Sequence, residues 1–542
     1  MKPLTHIVIG VTAALLASGA VLAQEPPHEH AVYGHKLGTI AFPNSGAASA
    51  QAPFLRGIAL LHSFEYRDAA DAFREAQAAD RSFALAYWGE ALTNTQLLWG
   101  VDDAAAARAA LVRLAPTTSA RLTLARTPRE RSYGAAVEAF YADGATPVRA
   151  RAFADSLRWL ARRMPDDLEA AAFASLAIQM ATNVGGYSPA ERGAVLEDAI
   201  EFAERVFRAN PDHPGAAHYL IHVYDDPVLA RRGLDAARAY AKIAPDAGHA
   251  VHMPSHIFVQ LGLWRDAVAS NERAWASSRA WVARRGAPGT ALDFHTLEWL
   301  QYGYLQQGRY RAARALIDTA RAVLSGADLS AASPDSRHVV ARLEFALARE
   351  TGDWRSAAMP ALAAPSGESS VRARSFATFA LYQRAARAAM TGSAAVADSA
   401  AGRIGAESGK WSAFAALQLK ALAAWARGDC EPAIALLREA AAAEQQIAPV
   451  GPPPYLPAHE LLGKALLDAG RPGEAAAAYE EALARRPNRA AALLGLARAR
   501  TALGDAPRGR RAYEQLLDSW RDADADLAAL PEVKAGARVP TR

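Results

Sequence analysis

Residues 456–489 read LPAHELLGKALLDAGRPGEAAAAYEEALARRPNR, and this stretch decides the fold. In a 34-residue frame starting at 456, Leu462 and Gly463 fall at offsets 7 and 8, Gly470 at 15, Ala475 at 20, Tyr479 at 24, Ala482 at 27 and Pro487 at 32. Small residues at offsets 8 and 20 let two antiparallel helices approach closely. The ring at offset 24 fills the groove between them, and the proline at 32 stops the second helix. A second unit follows at 490 with Leu496, Gly504 and Tyr513.

These are the small and aromatic offsets of a tetratricopeptide repeat (TPR). Working outward, the same frame recurs from 50 (Gly57, Ala69, Phe73, Ala76), 180 (Ala199, Ala203, Pro211), 214 (Pro245), 248 (Gly262, Ala267, Ala274), 294 (Gly308, Ala313, Ala320), 338 (Gly352, Ala357) and 414 (Gly428, Ala433, Ala440). Any one match is weak in an Ala-rich chain. Their recurrence in frame predicts an all-α, TPR-like helical-hairpin solenoid with a right-handed superhelix. Strand signals are scarce. Pro-rich breaks at Pro26-Pro27 and between Pro449 and Pro457 suggest an N-terminal extension over 24–49, a solenoid over 50–448, and C-terminal repeats with a tail over 449–542.

Composition narrows the function classes. The chain has 542 residues, 51% of them apolar, which excludes a disordered protein. Its one cysteine, Cys430, excludes an intramolecular disulfide and any cysteine-cluster metal site. Net charge is only +4, and the arginines are interleaved with acids, as in Glu197 to Asn210, so no phosphate-tracking stripe and no nucleic-acid partner is expected. The start, MKPLTH followed by IVIGVTAALLASGAVLA, reads as a Sec-type signal peptide over 1–23 with cleavage after Ala23. That predicts a periplasmic or secreted protein with no membrane span in the mature chain.

The histidines carry the chemistry. Of 14, six (213, 218, 222, 249, 252 and 256) fall within 44 residues. His218, His222 and Asp225 are spaced +4 and +3, and His249, His252 and His256 are spaced +3 and +4, so each set shares one helix face. Imidazole and carboxylate at such spacing are ligands for a divalent transition metal (Zn, Cu or Fe). In frames 214 and 248 they occupy first-helix offsets that line a concave face, which sets His218 beside His252 and His222 beside His256. His295, Glu298 and Tyr302 continue the stripe in frame 294 and are candidates for proton transfer. The ligand candidates are His218, His222, His252 and His256, with His249 and Asp225 as further ligands or orienting groups. HExxH, P-loop, GxGxxG and GxSxG patterns are lacking, and Ser255 beside His256 points away from it. A metal-free polar seam of hydrogen-bonded histidines is the alternative reading of the cluster. His213, His338, His28, His30 and His35 read as surface, core or tail histidines. A first-repeat set of His62, Glu65, Tyr87, Trp88 and Glu90 is brought toward the histidine repeats if the superhelix curls.

Five strings resemble a family. Phe54-Leu-Arg-Gly57, Leu61-His-Ser-Phe-Glu-Tyr66 and Ala84-Leu-Ala-Tyr-Trp-Gly-Glu90, with His213-Pro-Gly-Ala-Ala-His-Tyr-Leu-Ile-His222 and Gly248-His-Ala-Val-His-Met-Pro-Ser-His-Ile257, are similar to those of a group of exported bacterial TPR proteins. The resemblance covers about residues 35–320. It implies a TPR superhelix and no particular activity. That family's pattern carries Glu where this chain has Asp225 and Asn where it has Thr296. The functional expectation is therefore an exported repeat protein with a histidine-rich, metal-binding concave face, acting as a metal-dependent hydrolase or oxidoreductase. The alternative is a non-catalytic scaffold gripping a peptide or protein partner in its groove. A metal carrier or sensor without turnover is a third.

Overall fold

The computed structural model describes residues 36–329, 333–359, 371–407 and 409–538. The signal-peptide and cleavage expectations, and His28, His30 and His35, lie outside them. The architecture is all-α. Thr95–Gln96 pairs antiparallel with Val101–Asp102, and these are the only strands among the described residues. No described helix is long and apolar enough to cross a membrane.

First helices begin where the repeat frames place them: Pro214–Tyr224, Gly248–His252, Phe294–Gln306, Ala458–Asp468 and Ala490–Ala502. Frame 180 fits less well. Its hairpin consists of Leu168–Asn183 and Pro189–Ala209, so the first helix starts earlier than the frame predicts, and Ser188 caps the second in a capping box with Glu191. The decisive 456–489 unit packs as its offsets require. Tyr479 is wedged between repeats, and a Cβ added at Gly463 or Gly495 would lie 2.8 or 2.1 Å from its ring. Gly495→Ala is therefore expected to lower the stability of the full-length chain by about 1–3 kcal/mol, read from urea denaturation. No change would show that Tyr479 does not set the repeat spacing.

The superhelix closes on itself. Residues 36–46 tie several repeats together: Thr39 N donates to Asp212 O (2.9 Å), Lys36 N to Asp246 Oδ2 (3.0 Å), and Ser45 N to Glu130 Oε1 (2.6 Å). Leu37 and Phe42 join a core that continues to Trp299 and Tyr302. At the other end, Trp264 Nε1 donates to Asn488 O (2.8 Å) and Asp524 N to Gly308 O (3.0 Å). The Pro-rich stretch expected to mark a boundary packs against the central repeats. Pro449 O accepts from Gln260 Nε2 (3.2 Å), and Gly451 sits against Trp299, 2.5 Å from its ring on an added Cβ. Arg489, fully buried, bonds Glu350 (3.0 Å), Glu460 (2.5 Å) and Tyr302 Oη (3.2 Å). These ties turn a row of hairpins into an enclosure around its middle repeats.

Candidate metal centre

The string 213–222 is built residue by residue for close approach. His213 caps the helix Pro214–Tyr224, its Nδ1 accepting from Ala216 N (3.1 Å), and Pro214 takes the first helical position, where no N–H is needed. At Gly215 an added Cβ would lie 2.5 Å from His62 Nδ1, so only glycine lets this helix meet Ala48–His62. His218 and His222 then project one turn apart. In the string 248–257, Pro254 divides the helix into Gly248–His252 and Pro254–Gln260. His249 joins one group, while His252 and His256, on either side of the break, join the other.

The rings assemble into two sets of three. His218, His222 and His249 form one, and His252, His256 and His295 the other. Within each, the ligand atoms lie within 4.8 Å of one another. His218 Nε2 is 3.1 Å from both His222 Nε2 and His249 Nε2. His252 Nε2 is 3.2 Å from His256 Nε2 and 3.0 Å from His295 Nε2. Nitrogens sharing one tetrahedral ion at 2.0–2.1 Å stand about 3.3 Å apart, close to the two short edges of each set. The sets adjoin: the His249 and His252 rings are 6.2 Å apart between centroids, and those of His222 and His256 6.3 Å. His218 and His252 are fully buried, while His222 and His295 are partly exposed, so each set has one ring toward solvent.

The opposite ring nitrogens fix what Nε2 offers. His218 Nδ1 donates to His62 O (2.7 Å), His256 Nδ1 to Asp225 Oδ2 (2.7 Å), and His252 Nδ1 to Asn271 Oδ1 (2.6 Å). Asn271 is oriented by its own amide donating to Ala267 O (2.8 Å). With Nδ1 donating, the neutral His218 ring keeps Nε2 as its acceptor. His252 Nε2 and His256 Nε2 face each other across 3.2 Å. Burial, then the neighbouring His222, holds His218 well below the usual histidine range, and burial, then His256, pushes His222 down to about 3. Asp225 stays ionised, since His256 and Gln260 outweigh its desolvation.

The walls are aromatic. Phe64 lies 4.2 Å from the His218 ring, Trp99 lies 5.6 Å from His249, and Trp299 lies 4.2 Å from His256. Phe64 adopts φ 57°, a conformation rare for a bulky side chain. The same turn aims the His62 carbonyl at His218 and sets Glu65 Oε1 to accept from His249 N (3.1 Å). Burial raises the Glu65 carboxyl well above its ordinary range.

A third group, His62, Glu169 and His213, is saturated. Glu169 takes His62 Nε2 at 2.8 Å and His213 Nε2 at 3.2 Å, while His62 Nδ1 accepts from Tyr219 Oη (2.7 Å) and His213 Nδ1 caps a helix. Every ring nitrogen is occupied. The group therefore fixes the His62 carbonyl that orients His218 and leaves no lone pair for an ion.

Several sequence expectations change. His218 meets His249, and His252 meets His295, rather than the two meeting each other. His249 joins the ligand sets directly. Asp225 stands behind His256 and outside the triads. His295, expected in proton transfer, completes the second triad. Glu298 is ion-paired with Arg342, and Tyr302 is bonded to Arg489, so the geometry assigns neither to the triads. Buried Tyr87 and Trp88 pack in the first repeats, and Glu90 bonds Arg74 and Arg113. Asn271 was missed. Its only signal was a polar residue on the buried side of Trp264–Arg285.

Acid should reveal the buried rings. A histidine held neutral in the fold but titrating near 6.5 when unfolded stabilises the fold above pH 6.5, and loses that stabilisation as pH falls toward about 3. For His222 alone the loss is about 2 kcal/mol by pH 5. Urea denaturation of chelator-treated protein at pH 7.5 and pH 5 measures it. Equal stabilities would contradict neutral burial.

The site thus belongs to an all-α helical-hairpin repeat protein with six converging imidazoles. Residues 466–530 match the tetratricopeptide repeat family. No curated protein matches the chain. Among solved structures, yeast Tom70 is similar at 12% identity, covering 90% of this chain and 95% of that one with a TM-score of 0.35. A monomeric mutant of IFIT1 with Gppp-AAAA is similar at 11% identity, covering 88% and 91%, with a TM-score of 0.35. Repeats of this kind are scaffolds suited to protein partners.

Proposed function

We propose that this protein binds two transition-metal ions, one on His218, His222 and His249 and one on His252, His256 and His295. The carrying observation is the convergence of two three-nitrogen sets whose central rings are oriented from behind through Nδ1. Imidazole-only sets suit Zn, Cu or Fe. Three protein ligands per ion leave a position for water or a small molecule, as metal-dependent hydrolases and oxidoreductases require. The N-terminal 1–23 pattern supports an exported location.

Metal analysis of untagged full-length protein, purified without chelator, tests this: two equivalents per chain are expected, and none after supplying each candidate metal would refute it. Asp225→Asn keeps the hydrogen bond's shape but removes the charge behind His256. It should weaken the second ion about 10–100-fold and leave the first unchanged in competition titrations with a chromogenic chelator. Equal affinities would place Asp225 outside the centre.

The second reading is a metal-free scaffold for a peptide or protein partner. The repeats matched over 466–530 favour it. Metal-free protein that folds and captures a partner would support it.

A further inference from the structure

We infer that Arg486 anchors a binding site for a small oxyanion, a carboxylate or a phosphate, at the seam between the central and C-terminal repeats. The site uses none of the histidines and stands whether or not the triads hold metal.

A guanidinium keeps its charge in a folded protein and carries five N–H donors. The N–H groups of Nε and Nη2 point the same way, and this side-on fork matches two oxygens of a carboxylate or phosphate. The chain uses the fork repeatedly. Arg489 Nε and Nη2 take the two oxygens of Glu460, those of Arg121 take Glu138, and those of Arg129 take Asp167. Arg486 is only 6% exposed, and its Nη1 donates to Gly451 O (2.8 Å). Its Nε and Nη2, the two arms of the fork, are buried without a hydrogen-bond partner. Among the described residues no other side chain has two such nitrogens.

Two further donors belong to the same stretch of chain. Tyr455 Oη, fully buried, adjoins the Arg486 guanidinium but falls outside hydrogen-bond geometry with it, and it has no other partner. Arg349 Nη1 donates to Pro453 O, two residues along from Gly451, and Arg349 Nη2 is buried and unpartnered. The carboxylates nearby bond other donors. Glu350 and Glu460 are on Arg489, and Glu444 acts on the Arg486 charge while its Oε2 accepts from Ala458 N (2.9 Å). Water can meet a buried N–H, but a planar oxyanion meets both arms of the fork and adds the opposite charge that a buried cation calls for.

The place matters. Gly451, whose carbonyl Arg486 holds, packs on Trp299, and Trp299 lies 4.2 Å from the His256 ring. The seam is thus the back of the wall that lines the second triad.

Thermal unfolding of full-length protein tests the inference, with sodium acetate or sodium phosphate exchanged for sodium chloride at constant ionic strength. A saturable rise in Tm with acetate or phosphate is expected, and none with chloride, because a ligand of the native state alone stabilises it. The anion that saturates at the lower concentration assigns the class. Arg486→Lys keeps the charge and a donor for Gly451 O but has no fork, so it should need at least tenfold more anion. Tyr455→Phe should weaken the response by less. The His218→Ala, His252→Ala double variant should keep it, which separates this site from the metal centre. Crystals of the unmodified chain grown in the saturating anion should show it on Nε and Nη2. A rise that chloride matches or that never saturates, an unchanged response in Arg486→Lys, loss of the response in the histidine double variant, or water alone on the fork in those crystals overturns the inference.

Discussion

His218→Ala should release one of two bound metal ions, His252→Ala the other, and the double variant both. The two rings are the hubs of their triads, each touching both partners at 3.0–3.2 Å. Each is also locked from behind, by a backbone carbonyl in one case and Asn271 in the other. Loss of a group behind a ligand already costs 10–100-fold in affinity, so loss of the ligand itself should cost at least about 100-fold. The thermodynamic echo is a stability gain on metal addition. A ligand at about 1,000 times its Kd adds about 4 kcal/mol, and the double variant should gain nothing. His459→Ala, a ring bonded to Gln445, serves as the control and should keep both ions. Elemental analysis and thermal unfolding with and without metal decide it. A double variant that retains two equivalents would show that the ions sit elsewhere.

Arg489→Ala should unfold the closure between the central and C-terminal repeats. The guanidinium is fully buried, bonded to both oxygens of Glu350 and both of Glu460. Removing it strands two buried carboxylates. Breaking one side of such a pair costs 3–5 kcal/mol, a large share of the 5–15 kcal/mol that holds most domains. Arg489→Met with Glu350→Gln and Glu460→Gln removes the stranded charges and should recover much of the loss. Denaturant midpoints of the full-length variants provide the measure. An unperturbed single variant would mean that solvent reaches the carboxylates.

The hairpins were legible because their determinants are local. Gly463, Tyr479 and Pro487 act within one 34-residue unit, and the +4 histidine pairs share a face by helix geometry alone. The partition of the rings was not legible. It depends on how separate helices pack, which brings His295 to His252 from 43 residues away. Periodicity carries no information on such crossings. Asn271 and the His62 carbonyl were hidden for the same reason: they act from other elements. The 449–457 stretch shows that proline marks irregular backbone equally well in a linker and in a segment packed against tryptophan.

The tethers at the two ends alter how the molecule gains its native form. Stacked repeats ordinarily nucleate anywhere and propagate one neighbour at a time. Here Lys36 is bonded to a residue 210 positions on, and Trp264 to one 224 positions on. The first joins the N-terminal segment to the central repeats, and the second joins the central repeats to the C-terminal ones. Native closure therefore waits on contacts between hairpins far apart in sequence, which are slower to form than the steps of a propagating row.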